Sequence, residues 1–188
     1  MTLPDLLAPT YVQMLCALSN WLEKAQAQFP GEAANTLLSA RLAPDMFPLA
    51  TQIRFACVQA REGLHRLRGE AFPPVITELL DEGRNAGDHP GTMAQAQARI
   101  AETIATVESL AAATPDADAD RAIAHDLPIG LIFDLTARQY ARDWALPQFY
   151  FHVMTAYAIL RQQGVDLGKA DYVAHMFAYL RPGTMPAA

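Results

Sequence analysis

Apolar residues recur at three- and four-residue intervals from Asp5 to Phe29, at Leu7, Tyr11, Met14, Leu18, Trp21, Leu22, Ala25 and Phe29, which predicts a long amphipathic helix. The Pro30-Gly31 pair ends it, and Glu32 to Leu42 reads as a short helical turn and loop. The run from Leu42 to Pro48 then sets up a second helix, with Asp45 as its N-cap and Pro48 in its first turn. Its buried stripe, Met46, Leu49, Ile53, Cys57, Ala60, Leu64 and Leu67, is close to the heptad seam of helices packed nearly antiparallel, and it stops before Gly69.

Pro73 and Pro74 lead into a brief helical piece over Val75 to Leu80, followed by a turn-rich stretch from Gly83 to Gly91. Thr92 is placed to cap a third long helix running to about Ala112, with Met93, Ala96, Ile100, Val107 and Leu110 inward. After Thr114-Pro115 the period changes to two. Ile123, His125 and Leu127 alternate with Ala124 and Asp126, and Leu131, Phe133 and Leu135 alternate with Ile132 and Asp134, so Ala122 to Thr136 is predicted as a hairpin turning at Pro128 and Gly130. An amphipathic turn over Gln139 to Trp144 precedes a fourth long helix, opened by Pro147 and stopped by Gly164, and Gly168 to Tyr179 forms a last short helix. The expected fold is a mainly all-α bundle of four long helices with a small hairpin before the last of them, in a single domain over residues 1–188.

Composition agrees with this picture and narrows the partners. The 188 residues are 52% hydrophobic and 18% charged, enough apolar material for one core. The formal charge is −6 and no basic run is interleaved with aromatics, which argues against nucleic acid. The stretch MTLPDLLAPTYVQML has no basic region ahead of its apolar residues, so a signal peptide is not expected and the location is read as cytoplasmic. Ala145 to Leu160 is too short for a membrane span and contains Pro147, Gln148 and His152, so it reads as a core helix and no membrane is expected. Cys16 and Cys57 lie outside any CxxC spacing and inside helical patterns, where each reads as a small buried hydrophobe. No GxGxxG, P-loop, HExxH or GxSxG occurs, which removes the familiar nucleotide, zincin and hydrolase routes.

Two stretches carry a signature: Arg41-Leu42-Ala43-Pro44-Asp45-Met46-Phe47-Pro48-Leu49 with Gln52, and Ala145-Leu146-Pro147-Gln148-Phe149-Tyr150-Phe151-His152, continuing through Ala156-Tyr157, Leu160-Arg161, Gly164-Val165 and Leu167 to Tyr172. With Arg66-Leu67-Arg68-Gly69 and Pro73 they resemble the bacterial domain-of-unknown-function 1993 family over nearly the whole chain. That resemblance implies a DinB/YfiT-like up-down four-helix bundle with a long crossover. It also implies a superfamily whose members usually hold a divalent metal on three histidines, one on the second helix and two spaced by four on the last. Here the last helix offers His152, with Ala156 four residues later and Gln148 four earlier, and the second offers Gln52 near its start and His65 near its end. The three-histidine pattern is not met, and the identity of any metal cofactor stays open.

The candidate site is therefore His152 with Asp45 and Gln52, if the second and fourth helices are neighbours. It reads as a weak mixed metal site with His152 as ligand, or as a metal-free acid/base pair. Each residue also has a plainer reading: His152 as a hydrogen-bonded core histidine, and Asp45 as a helix cap. Arg54, Arg61, His65 and Arg68 fall at helical spacing with Glu62 and Glu70 interleaved, and read as a solvated face rather than an anion site. The His125-Asp126 and His89-Asp88 pairs are read as incidental, and Tyr140, Trp144, Tyr150 and Tyr157 as core aromatics. Two classes of function follow: an enzyme or degenerate enzyme acting on a small molecule between helices, or a non-catalytic bundle that binds a small ligand or dimerises. A homodimer is expected, with spare apolar surface on the first helix at Tyr11, Trp21 and Phe29.

Overall fold

The computed structural model describes residues 2–113 and 118–184. Its long helices are α1 (Leu3–Gln28), α3 (Leu49–Arg68), α5 (Met93–Ala113) and α7 (Leu146–Gln162). Between them lie the short α2 (Glu32–Thr36), a 3-10 turn (Leu37–Ser39) and α4 (Pro74–Asn85). Before α7 come the strands β1 (Ala122–Asp126) and β2 (Ile132–Thr136), the one-turn α6 (Ala137–Gln139) and a π-helical stretch (Tyr140–Ala145). The Thr114-Pro115 break is outside the described residues. After α7, α8 (Lys169–Tyr172) and a 3-10 turn (Ala174–Tyr179) form the expected last short helical segment in two pieces.

This is the expected four-helix bundle with a hairpin in its last crossover. Helices α1 and α3 touch one another and each packs on both α5 and α7, while α3 also carries α4. The stripe Leu49, Ile53, Cys57, Ala60, Leu64 and Leu67 is buried along α3, and Leu7, Tyr11, Leu18, Trp21 and Leu22 are buried along α1. The C-terminal segment is tied back to α1: the Trp21 indole N–H donates to the Asp171 carbonyl at 3.3 Å, and Lys24 pairs with the Asp171 carboxylate at 2.8 Å.

Local chemistry explains most boundaries. Thr2 and Asp5 form a reciprocal capping box on α1, as Thr92 and Gln95 do on α5. Gly69 closes α3 at φ +69°, a left-handed conformation that glycine adopts without strain. The hairpin pairs Ala122 with Thr136 and Asp126 with Ile132, and buries Ile123 and His125 inward from β1. The expected alternation fails in β2, where Ile132, Phe133 and Asp134 are all exposed, the Phe133 ring covered on one side alone by Trp144 at 5.9 Å between centroids.

Several expectations are corrected. Asp45 does not cap the second helix: Pro48 is its N-cap, and Asp45 sits exposed in the preceding turn, where the Met46 N–H closes on the Ala43 carbonyl at 3.0 Å. Helix α4 runs on through Gly83 to Asn85, because the Phe55 ring lies against Gly83 where any side chain would stand. The last long helix starts earlier than Pro147: Thr136 and Gln139 form a capping box, and the helical path continues through the π-helical stretch into α7. A π turn before Pro147 accommodates a residue that cannot donate an α-helical bond.

Arg54, Arg61 and His65 are buried rather than solvated, since α3 is enclosed by four other helices and has no free face. Arg54 Nε donates to Glu82 at 3.3 Å, its guanidinium also reaches the Ala50 carbonyl at 3.1 Å, and Arg61 Nε donates to the Thr103 hydroxyl at 3.0 Å. Cys16 is exposed while Cys57 is buried. The spare apolar surface expected on α1 is not there, because Tyr11 and Trp21 are fully buried and Phe29 is half-buried. Among the described residues, no helix is long and apolar enough to cross a membrane.

Candidate functional site

Gln52 lies in the first turn of α3, whose Pro48 carbonyl accepts its N–H at 3.1 Å, and His152 lies in the second turn of α7. Packing of α3 on α7 brings the two side chains together across 100 residues of sequence. His152 Nδ1 is 2.8 Å from Gln52 Oε1, and Gln52 Nε2 donates to the Phe47 carbonyl at 3.2 Å. The second bond decides the first. An amide whose N–H is committed to a carbonyl must turn its oxygen to the imidazole, so Nδ1 carries the proton and donates.

Nε2 is then the basic nitrogen, and no side chain or backbone group among the described residues bonds to it. The imidazole meets the ring edges of Phe55 at 5.3 Å and Phe151 at 5.4 Å between centroids, and Phe47 packs on Phe55 at 5.7 Å. Phe47 and Phe151 are themselves exposed. Burial pushes the His152 pKa down to about 4, so the ring is neutral at physiological pH. Asp45, the third predicted member, is not joined to this pair by any hydrogen bond.

The chain matches the model of a family described as "Domain of unknown function (DUF1993)" over residues 3–173. It belongs to that family. A solved structure supports the assignment: the DUF1993 chain is 32% identical to a DinB family member protein from Shewanella denitrificans, with a TM-score of 0.71 over 98% of this chain and 96% of that one. No curated protein matches.

The DinB-like fold implies a divalent metal, and the DUF1993 chain's residues do not fit one. A tightly held ion needs at least three protein ligands. Here Nδ1 of His152 is engaged by Gln52, Ala156 stands four residues on, and no group of three His, Cys, Asp or Glu side chains among the described residues is placed to hold an ion. The site is one neutral imidazole with a fixed tautomer, set among aromatic rings.

Gln52 and His152, named together in the sequence, are hydrogen-bonded in the structure, but the sequence carries no signal for the rings around them. Phe55 follows Gln52 by three residues on the same face of α3, and Phe151 adjoins His152. Both read as ordinary core positions until α7 is laid against α3.

Proposed function

We propose that this DinB-like protein binds a small molecule at the His152–Gln52 pair, through the imidazole itself rather than through a metal. The observation that supports the reading is the fixed tautomer, which leaves Nε2 as a free acceptor bordered by Phe55 and Phe151. A ligand with an O–H or N–H donor on an apolar or aromatic body satisfies both features. Binding is favoured over base catalysis on magnitude: a general base works best with a pKa near the working pH, and an imidazole held near 4 takes up a proton poorly at pH 7.

Phenol, with an aromatic ring and one O–H donor, is a suitable probe. Side-chain nitrogen NMR is expected to show His152 as the Nδ1–H tautomer, with phenol shifting the Nε2 resonance and EDTA leaving that shift unchanged. His152→Ala should abolish phenol binding at this site. Wild-type protein that keeps one zinc or nickel per chain after chelator dialysis would reject the reading and restore a metal-assisted enzyme.

A second reading is a non-catalytic bundle that pairs with a second copy of itself. It draws on Phe47 and Phe151, which are exposed and whose rings lie against Phe55 and His152. Sedimentation equilibrium of wild type and Phe151→Ser separates the two: a dimer lost in the variant supports pairing, and a monomer at micromolar concentration rejects it.

A further inference from the structure

A different part of α3 carries a second constellation. Gln52, Phe55, Gln59, Glu62 and Arg66 fall at alternating intervals of three and four, on one helical face. The C-terminal half of that face forms one wall of a cavity of about 400 Å³, closed by Phe72, by Leu80 and Arg84 of α4, by His125 and Asp126 of β1 with the Leu127-Pro128 turn, and by Trp144. None of the residues singled out by the sequence as a site contributes to it.

Five nitrogen or oxygen atoms on these wall residues are buried without a hydrogen-bond partner among the described residues: Gln59 Oε1, Arg66 Nε, both ring nitrogens of His125, and Trp144 Nε1. Buried polar atoms are satisfied in the great majority of cases, because each one left bare costs about 1–3 kcal/mol. Five around a single cavity mark a place built for another molecule. His125 is the clearest case: it is 4% exposed, packs on Trp144 at 4.3 Å and on Tyr140 at 5.3 Å, and neither of its nitrogens is used by the protein.

Glu62 completes the set. Its neighbour Arg66 already donates to Asp126 at 3.0 Å and lies over the Phe72 ring at 4.7 Å, and the Glu62 carboxyl has no ion pair among the described residues. Burial raises its pKa to about 7. A carboxyl poised in this way pairs best with a group that offers two N–H donors side by side and can bring positive charge. The indole of Trp144 and the ring of Phe72 add flat apolar walls, and unsatisfied donors and acceptors are both present. The volume falls within the usual range for small-ligand sites, about 300–1,000 Å³.

We propose that this cavity binds a planar nitrogen heterocycle carrying an amino group next to a ring nitrogen, with Glu62 gripping the amino and ring N–H pair and Trp144, His125 and Gln59 satisfying the remaining edges. The site is separate from the His152–Gln52 pair, and neither proposal depends on the other.

The test uses the full chain and 2-aminobenzimidazole, with 2-aminoimidazole as a smaller ring that keeps the amino and ring N–H pair and benzimidazole as the analogue without the amino group. Calorimetric titration should show 2-aminobenzimidazole binding at least roughly tenfold more tightly than benzimidazole, the expected loss for one charge-assisted hydrogen bond. Glu62→Gln should lose most of this preference. Trp144→Phe, which keeps a ring and removes the N–H, should weaken binding several-fold. Circular dichroism melts confirm that each variant is folded. Failure of both amino heterocycles to bind wild-type protein at millimolar concentration overturns the proposal, as does binding that Glu62→Gln does not alter.

Discussion

Replacing Glu62 by glutamine should stabilise the protein, by an amount that grows as pH rises from about 4.5 to 7 and is constant above that. The carboxyl is held at about 7 by desolvation, against an ordinary value of 4.5, with Arg66 opposing the rise. Ionising it in the fold therefore costs about 3 kcal/mol more than ionising it in the unfolded chain. Between pH 4.5 and 7 the native state keeps a proton that the unfolded state has lost, so stability falls as pH rises through this window and levels off above it. Glutamine has the shape of the protonated acid and never ionises.

Urea denaturation of wild type and Glu62→Gln should accordingly agree to within about 0.5 kcal/mol at pH 4.5, and favour the variant by up to about 3 kcal/mol at pH 8.5. Arg66, Arg84, His125 and Asp126 around the cavity, with Tyr140 and Tyr11 beside Glu62, are present in both proteins, so their contributions largely cancel in the difference. A difference of the same size at both pH values would refute the reasoning, because the cost of burying the carboxyl appears only where the unfolded chain ionises it.

The His152 pKa is depressed from 6.5 to about 4, so its contribution to stability is full above pH 6.5 and is lost as pH falls through about 4; wild type should lose up to about 3 kcal/mol relative to His152→Gln over that range in urea titrations. Gln52→Leu leaves the buried Nδ1–H of His152 without its acceptor and should cost about 1–3 kcal/mol, with the His152 proton resonance shifted in NMR spectra. Gly83→Ala drives a methyl group into the Phe55 ring inside α4 and should cost about 1–3 kcal/mol despite alanine's better helix propensity, whereas a stabilised variant in thermal melts would show that Phe55 is free to move. Elemental analysis of untagged protein after chelator dialysis is expected to find less than one equivalent of zinc or nickel, since His152 has no second and third ligand beside it.

Much of this fold was legible along the chain because helix periodicity, caps and breakers are local. The stripe from Leu49 to Leu67, the Thr92 cap, the Gly69 and Gly164 stops and the alternation that turns His125 inward all follow from residues a few positions apart. Local signals also misled where a neighbour overruled them. Asp45 is a good cap by type, but the turn at Ala43–Met46 holds it outside the helix, and Gly83 is a good breaker until the Phe55 ring occupies its open side. The candidate site divides in the same way. Gln52 and His152 could be suspected as a pair, yet only the packing of α3 on α7 sets the 2.8 Å bond that fixes the imidazole's tautomer. Nothing local distinguishes Glu62, Gln59, His125 and Trp144 from surface or core residues. A polar stripe on a helix looks solvated until another element covers it, and here α4, the hairpin and the π-helical stretch close over α3 together, leaving polar atoms of Gln59, His125 and Trp144 buried without partners among the described residues.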